Sequence, residues 1–466
     1  MSTTLRKHTI RWIGITVCLL TVFHNLSAQP VSAPQSQELL NGLKVFFWPK
    51  PGSTEVLVKL RIHSGSAFDL DGKAGEMALL GDILFPDPAT VDFFTEQMGG
   101  KLNVSVNYDS MTITMLGKSE QLDNIMEVLR NAILATQLTP DVVTRIRSTR
   151  IKIVRETTVS PAMVADRAIA VRLFGDFPYG RPASGYAEDL ERVDRADLML
   201  AKERFLNANN ATMAIVGGFN QSRINRTLKQ LFGAWRKSEQ LIPSTFRAAK
   251  TPDSRTLLVN IPSPTAEIRL ALRGVSRSDQ DFYAALVLAR VVQNRWAALA
   301  PASDTRPTSA RSESYMLPGM FVLGTAVSSS QVVASIGNAK KIIESILSNP
   351  VSTAELERAV RESLAEGGAT SPGEIEADSW LDMATYRLPV AQDRAASIRT
   401  VSTADLQRVA GRLFKDASIA TVVVGDISQL RAALQGNIQF EVLGEIAEPK
   451  PSPKPPTKPG ATSSPR

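Results

Sequence analysis

Cysteine and histidine are almost absent from this sequence. Its 466 residues include one cysteine and three histidines, and Cys18, His8 and His24 all lie within the first 28 positions. If that segment is removed, the chain keeps one imidazole, His63, and no thiol. Disulfides, cysteine nucleophiles, cysteine-rich zinc sites and haem attachment are then excluded.

The chain also lacks an excess of charge outside its two ends. It has 53 Lys and Arg against 46 Asp and Glu, which gives a formal charge of +7. Residues 1–28 hold three cations, residues 449–466 hold four, and neither segment contains an acid. The rest is neutral overall, whereas nucleic-acid binders draw affinity from cations that displace counterions. We therefore predict no nucleic-acid partner.

Long apolar runs are missing as well. The run 12–23 is shorter than the about 20 residues that a membrane-spanning helix needs. It follows a short basic start and ends before the small residues of 26–28, which together are the three parts of a cleaved secretory signal. A mitochondrial transit peptide would instead spread its charges along an amphipathic helix. We predict that residues 1–28 are a secretory signal peptide, that the chain is exported to the periplasm or cell envelope, and that the mature chain has no transmembrane span.

The carboxyl end, 447–466, is rich in proline and lysine and has no large apolar side chain. Such a segment has nothing with which to build a core, so we predict a disordered tail with extended, polyproline-II character. The alternative is a spacer or a contact arm toward acidic lipid or a cell-envelope polymer.

Between these ends the sequence repeats one pattern. Residues 196–217 begin a helix with Ala-Asp-Leu and finish with a strand that ends in glycine, and residues 404–425 do the same 208 positions later. A looser echo pairs 138–141 with 351–355, where Thr or Ser precedes an acidic first turn, as at helix starts. The repeat indicates two related halves.

Each half contains strands, then helices, then a further strand. In the first half we expect strands near 43–48, 55–63, 100–107 and 111–116, and helices near 74–84, 89–98, 119–136 and 139–154. Runs of strands followed by runs of helices favour an antiparallel sheet covered by helices. We predict an α+β protein of two homologous tandem domains, each a mainly antiparallel sheet with helices packed on one face. The domains are predicted at 36–238 and 254–446, joined by a linker at 239–253.

Short glycine- and proline-marked stretches occur in the first half in a particular order. They are Leu-Asn-Gly-Leu at 40–43, Gly-Ser at 65–66, Gly-Gly-Lys-Leu-Asn at 99–103, Pro-Tyr-Gly-Arg-Pro at 178–182, Gly185 and Gly217. Their joint order, over most of 38–235, resembles the pitrilysin (insulinase-like, inverzincin) zinc metallopeptidase family. That family includes the mitochondrial processing peptidase and the core subunits of the respiratory bc1 complex. The carboxyl half matches more loosely, through the duplicated pattern.

Active members of that family carry H-x-x-E-H on the helix that begins near Gly75. Histidines at i and i+4 bind one zinc ion, and the glutamate is the general base for the attacking water. Aligning Gly75 and Phe85 with the family pattern places Ala78 and Asp82 at the histidine positions and Gly81 at the base. We therefore predict that zinc ligands and base are lost, and we assign no catalytic residue, no metal ligand and no cofactor.

The remaining family positions are also changed. The third zinc ligand falls at Thr158, two residues after the retained pair Arg155-Glu156. Glu156 and Asp82 together would suit a hard cation, or they are ordinary surface or capping carboxylates. His63 lies in an alternating strand, where we expect a hydrogen-bonded structural role.

The family's carboxyl domain supplies an Arg and a Tyr that hold the substrate, in a stretch that resembles 294–296 onward. The corresponding positions fall near Pro301 and Thr308. Arg306 or Arg311 are candidates to replace the Arg, and no Tyr lies suitably close in the sequence. We expect this part of the machinery to be absent.

The resemblance implies a non-catalytic subunit that pairs with an active, zinc-bearing homologue to form a peptide-binding chamber. The family binds extended peptide by strand addition, at the sheet edge that follows the paired glycines. Here that edge is Leu102, Asn103 and Val104. The alternative is that these three are simply sheet residues. An alternative function is a stand-alone peptide-binding or scaffold module of the envelope. Residual metalloendopeptidase activity is a third, and it conflicts with every motif position.

Overall fold

A computed structural model describes residues 33–157, 160–240, 246, 249–299, 308–366 and 370–443. The predicted signal peptide at 1–28, the predicted tail at 447–466 and part of the predicted linker lie outside these residues. Within the described ranges, no helix has the length and apolar character needed to cross a membrane.

The described strands form two sheets. In chain order they are β1 (Gln35–Glu38), β2 (Lys44–Pro49), β3 (Glu55–Ile62), β4 (Lys101–Val106), β5 (Met111–Lys118), β6 (Ala211–Gly217), β7 (Thr256–Asn260), β8 (Ala266–Arg273), β9 (Ser309–Glu313), β10 (Met320–Val327), β11 (Ala420–Gly425) and β12 (Phe440–Val442). The first sheet has the order β1-β2-β6-β3-β5-β4 and the second β12-β7-β11-β8-β10-β9. Neighbours are antiparallel except β2 with β6, β7 with β11 and β7 with β12, so both sheets are mainly antiparallel, as predicted.

The α-helices lie singly or in groups between these strands. They are α1 (Glu76–Ile83), α2 (Pro88–Asp92), α3 (Leu122–Arg130), α4 (Pro140–Thr157), α5 (Pro161–Phe174), α6 (Ala187–Arg192), α7 (Arg195–Phe205), α8 (Gln221–Phe232), α9 (Phe282–Ala297), α10 (Val332–Ser348), α11 (Thr353–Ala365), α12 (Pro372–Tyr386), α13 (Arg394–Arg399), α14 (Thr403–Phe414) and α15 (Ile427–Leu434).

Strand alternation determines which sheet face is covered. In β3, Val58 and Leu60 belong to the apolar core under the helices of the first half, whereas Lys59 and Arg61 face the other way. The second half has its own core between its sheet and its helices. The α+β prediction of two sheets, each with the helices of its own half packed on one face, is therefore confirmed.

The opposite face of each sheet is covered by a helix from the other half. Helix α5 packs on β8 and β11 of the second sheet, and α12 packs on β3 and β6 of the first. Leu381 of α12 lies in a buried cluster with Trp48 and Leu57. This exchange of helices joins the halves. The predicted boundaries at 36–238 and 254–446 stay predictions.

The repeat noted in the sequence corresponds to two equivalent helix starts. Asp194 and Asp197 form a capping box at α7, and Ser402 and Asp405 form one at α14. In each box the two side chains accept backbone N–H groups reciprocally, which satisfies donors that the first turn leaves free. The Asp of the repeated Ala-Asp-Leu is in both cases the third residue of its helix.

Candidate functional site

Strand β4 is one edge of the first sheet and carries the residues predicted to contact peptide. Among the described strands it pairs only with β5. Leu102 is buried and Val104 half-buried against the helix-covered core, whereas Asn103 is exposed on the opposite face. The structure thus places all three on the sheet edge, and the peptide contact itself stays a prediction.

The turn between β4 and β5 determines which backbone groups face the open edge. The amide of Asn107 donates to the carbonyl of Ser110 at 3.0 Å, so these two residues form a hydrogen-bonded pair. Opposed residues of an antiparallel ladder alternate between bonded and non-bonded pairs. By this alternation, the backbone N–H and C=O groups of Asn103 form hydrogen bonds with β5. The N–H and C=O groups of Leu102 and Val104 point to the open edge.

Helix α1 packs against β4 where the family resemblance places the zinc site. Ala78 is buried, and a Cβ atom at Gly81 would lie 3.2 Å from Cγ1 of Val104 and 3.3 Å from Cγ2 of Val106. A side chain at Gly81 would therefore require these valine methyl groups to shift by a few tenths of an ångström. The position of the general base is filled by apolar contacts with the edge strand.

Asp82 is bound by a cation of the protein itself. Its Oδ2 lies 2.8 Å from Nε of Arg150 on α4. Burial raises the pKa of Asp82, and the positive charge of Arg150 opposes that rise. The carboxylate of Asp82 is thus paired with the guanidinium of Arg150 at the place where a metal ion would need it as a ligand.

Glu156 lies apart from this pair. Its side chain is 63% exposed, with Oε1 3.9 Å from Nζ of Lys152. It follows Arg150 by six residues, about 9 Å along a helix, and Thr158 lies outside the described residues. In the part of the chain that the structure describes, no group of three or more His, Cys, Asp or Glu is arranged to hold a metal. With neither imidazole nor thiolate beside Asp82, the residues do not fit catalytic zinc.

His63 has the structural role expected of it. Its Nδ1 lies 3.0 Å from Oγ1 of Thr385 on α12, and its Nε2 lies 2.8 Å from Oγ1 of Thr212 on β6. Burial, and then the charges of Arg61 and Lys44, lower the pKa of His63 to about 3. The neutral ring therefore connects two hydroxyls across the junction of the halves.

The stretch expected to hold substrate is used for structure where it is described. Arg311 lies in β9 with its guanidinium 3.0 Å from Oδ1 of Asp166 on α5. Thr308 is buried. Pro301 and Arg306 lie outside the described residues. Arg311 thus helps to hold the exchanged helix.

Sequence reasoning missed a tyrosine cluster at the end of β4. The ring centroids of Tyr108, Tyr179 and Tyr315 are 4.8 to 4.9 Å apart. Beside them the buried carboxylate of Asp109 accepts hydrogen bonds from the Tyr179 hydroxyl at 3.3 Å and from the Met316 amide at 2.9 Å. Burial raises the pKa of Asp109 to about 6. The cluster joins the β4–β5 turn to the β9–β10 turn, and its members are too far apart in sequence for a local pattern to link them.

A charged groove of about 420 Å³ lies between the first sheet and α12, beside Asn103. The ammonium of Lys59 is 2.7 Å from the carboxylate of Asp378, and the guanidinium of Arg61 is 2.6 Å from that of Asp382. Its cations and acids are paired, so the groove offers hydrogen-bonding groups without a strong excess of one charge. Its one signal in the sequence is the alternation of Lys59 and Arg61 within a strand.

Two family descriptions match this chain. The family described as insulinase (peptidase family M16) matches residues 44–184, and the one described as peptidase M16 inactive domain matches residues 192–363. The chain is 23% identical over 431 residues to the probable mitochondrial-processing peptidase subunit beta of Arabidopsis thaliana, covering 86% of this chain and 80% of that protein. It is 22% identical to the corresponding Schizosaccharomyces pombe protein, covering 85% of this chain and 92% of the relative.

Solved structures agree on the fold. A peptidase M16 inactive domain from Pseudomonas fluorescens superposes with a TM-score of 0.75 at 17% identity, over 85% of this chain and 98% of that one. A protease from Helicobacter pylori superposes with a TM-score of 0.74 at 18% identity, over 84% of this chain and 100% of that one. The predicted family is therefore confirmed, and the chain belongs to the insulinase (M16) peptidase family.

Proposed function

We propose that the chain is an exported, non-catalytic M16 subunit that pairs with an active, zinc-bearing homologue and helps to form a peptide-binding chamber. The observation that carries this proposal is the state of the family's metal position. Arg150 binds the carboxylate of Asp82, and Val104 and Val106 occupy the space beside Gly81. Without zinc at that position, the chain has no metal ion to activate a water molecule for hydrolysis. It keeps the open edge of β4 and the charged groove beside Asn103.

Pairing is supported by what the relatives are. The Arabidopsis and Schizosaccharomyces proteins are named as subunits of a processing peptidase. A chamber shared between two chains needs metal chemistry from only one of them. The present chain would supply binding surface and the partner would supply zinc. The signal peptide predicted at 1–28 is the reason to look for that partner in the periplasm or envelope.

Peptide binding would use the open edge of β4. Because the outward N–H and C=O groups belong to Leu102 and Val104, an added strand would bond to these two residues. Asn103 would contribute through its side chain, on the face where the groove begins. Backbone bonding holds peptides of varied sequence, which suits a subunit that presents substrates to a partner.

Affinity isolation of the tagged full-length chain from its native envelope fraction tests the pairing. We expect near-stoichiometric recovery of a similar-sized protein containing H-x-x-E-H, identified by mass spectrometry, with zinc in the recovered complex. Recovery of the chain alone, or with envelope components that lack the motif, would overturn the pairing. That result would favour the alternative, a stand-alone peptide-binding or scaffold module, for which the basic, proline-rich tail is the supporting feature.

Substitution in β4 tests the peptide-binding mode. Val104→Pro removes an outward N–H while leaving the bonds to β5, so binding of fluorescein-labelled casein should weaken by about fivefold, the value of one hydrogen bond. Val104→Ala loses the same packing against Gly81 but keeps the N–H, and it is the matched control. Equal loss in both variants, measured by fluorescence anisotropy, would exclude main-chain recognition at this edge.

A further inference from the structure

A large cleft away from β4 has no role in the proposed function. It has a volume of about 870 Å³ and lies between the 67–71 loop, the end of α5 and the end of the described chain. Phe68, Phe177 and Phe246 are half-buried along it, with Phe246 5.7 Å from Phe68 and 6.0 Å from Phe177 between ring centroids. The exposed side chain of Val171 extends this apolar wall. The cleft is thus lined with aromatic faces that water still reaches.

The described part of the chain ends at this cleft. Strand β12 ends at Val442, and the amide of Leu443 still donates to the carbonyl of Leu258 at 2.9 Å. Leu443 lines the cleft with a side chain that is 62% exposed. Residues 444–466 therefore continue from the wall of an aromatic cleft.

The composition of those residues matches the cleft. Polyproline-II segments dock on aromatic-lined grooves because their conformation is already fixed and their binding orders few degrees of freedom. The tail also carries Lys450, Lys454 and Lys458, each followed by proline. The cleft lining carries exposed charges of both signs, with Arg204 and Lys250 as its exposed cations. Its exposed acids Asp71 and Asp176 form no ion pair with any described residue and are available to these lysines.

We propose that the proline-rich segment 449–459 docks in this cleft of its own chain as a polyproline-II helix. Residues 444–448 separate it from Leu443, and at about 3.4 Å per residue they span up to about 17 Å, enough to turn back along the wall from which they start. The phenylalanines would contact the proline rings, and the acids would bind the lysines. This inference is independent of pairing with a zinc-bearing partner.

A nitroxide spin label on the tail of the full-length chain tests docking. Cys18→Ser leaves the sequence without cysteine, and Ser452→Cys then gives one labelling site in the tail. We expect a large immobilised component in the electron paramagnetic resonance spectrum, which should be lost in Phe177→Ala and kept in Phe219→Ala, a half-buried phenylalanine outside the cleft. Replacing Pro453, Pro455 and Pro456 by Gly should release the label without any change to the folded body.

Each other outcome overturns the proposal. A freely mobile label in the unsubstituted chain would show an undocked tail. Immobilisation that survives both Phe177→Ala and the proline replacements would place the tail elsewhere. Immobilisation that disappears on dilution would show that the tail binds a second copy and not its own chain.

Discussion

The two halves use the same pair of helices in opposite ways. In the first half, the carboxylate of Asp82 on α1 meets the guanidinium of Arg150 on α4 at 2.8 Å. In the second half, the guanidinium is on the first helix, where Arg295 of α9 meets Glu355 of α11 at 2.7 Å. In the first half, this ion pair lies at the position where the family resemblance places the metal. The second half, in the region matched by the inactive-domain description, has an ion pair of the same kind. The two halves therefore carry ion pairs of the same kind between equivalent helices.

The starts of these helices differ more strongly. Ahead of α1, the buried carboxylate of Asp69 accepts the amides of Gly75 at 2.7 Å and Met77 at 2.9 Å, and burial raises its pKa to about 7. Ahead of α9, Asp281 is fully buried and bonded by the guanidiniums of Arg408 and Arg412. One half anchors its first helix through backbone donors and the other through charge.

Asp281→Asn should therefore have the largest effect of the substitutions considered. It replaces a fully buried carboxylate by a neutral amide and so weakens two charge-assisted hydrogen bonds, each worth about 1.5–3 kcal/mol. The half-exposed guanidiniums keep Asp405 and Asp279 as partners, so the expected cost is about 3–5 kcal/mol and no more. Asp69→Asn is the matched change in the first half, and with only amide donors to lose it should cost about 1–3 kcal/mol. Urea unfolding followed by circular dichroism measures both, and equal losses would remove the distinction between the two anchors.

Exchange of α5 and α12 between the halves gives the second prediction. Arg61→Ala removes the contacts of Arg61 with Asp378 and Asp382 of α12, and should lower the free energy of unfolding by about 2–4 kcal/mol, although Lys59 still binds Asp378. Calorimetry should then show the halves unfolding in two separate transitions. Lys50→Ala, which removes an exposed contact with Glu376, should cost less than about 1 kcal/mol and keep one transition. Two transitions in the unsubstituted protein would contradict this coupling.

Local order was predictable from the sequence. The strand predicted near 55–63 is β3 at Glu55–Ile62, and the helix predicted near 139–154 is α4 at Pro140–Thr157. Alternating and helical periodicities, with capping residues, are properties of short stretches and need no knowledge of the partner element. The repeated Ala-Asp-Leu had the same advantage, since both copies are capping boxes.

The exchange of helices and the tyrosine cluster were not predictable in this way. Whether α12 covers its own sheet or the other depends on which face remains open after folding, and no short window of sequence contains that information. Arg150 was likewise invisible as the partner of Asp82, because a basic residue on an exposed helix ordinarily indicates solvation. The family resemblance predicted that Asp82 stands at a metal-ligand position, and only the structure showed that Arg150 pairs with it.

Asp109 gives a pH-dependent test of the junction between the halves. Its folded pKa, about 6, lies above the ordinary value because of burial, so the folded state holds the proton more tightly than the unfolded state. The protonated carboxyl of Asp109 therefore contributes its full stabilisation below about pH 4, and this stabilisation is lost as the pH rises toward 6. Asp109→Asn should remove about 1–3 kcal/mol of this pH dependence, measured as unfolding free energies at pH 4 and 7. Tyr179→Phe, which keeps the carboxyl, should retain it; a wild-type profile in Asp109→Asn would exclude Asp109 as its source.

The smallest expected effect concerns the two interhelical ion pairs, and it tests the comparison most directly. Arg295 binds Glu355 through two bonds, 2.7 and 3.1 Å, and these hydrogen bonds lower the pKa of Glu355 to about 2. Arg150 makes a single contact with Asp82, whose pKa burial raises. Double-mutant cycles with alanine should therefore give a coupling of about 0.5–1 kcal/mol between Arg295 and Glu355. The coupling between Arg150 and Asp82 should be less than about 0.5 kcal/mol.

The order of these two couplings decides how the first half is understood. A weaker coupling for Asp82 and Arg150 means that the guanidinium adds little stability at the position where the family resemblance places the metal. The packing of Gly81 against Val104 then holds α1 in place there. A stronger coupling would mean that the ion pair itself holds α1 to α4. In that case Arg150→Ala should separate the two helices, whereas Arg295→Ala should not separate α9 from α11.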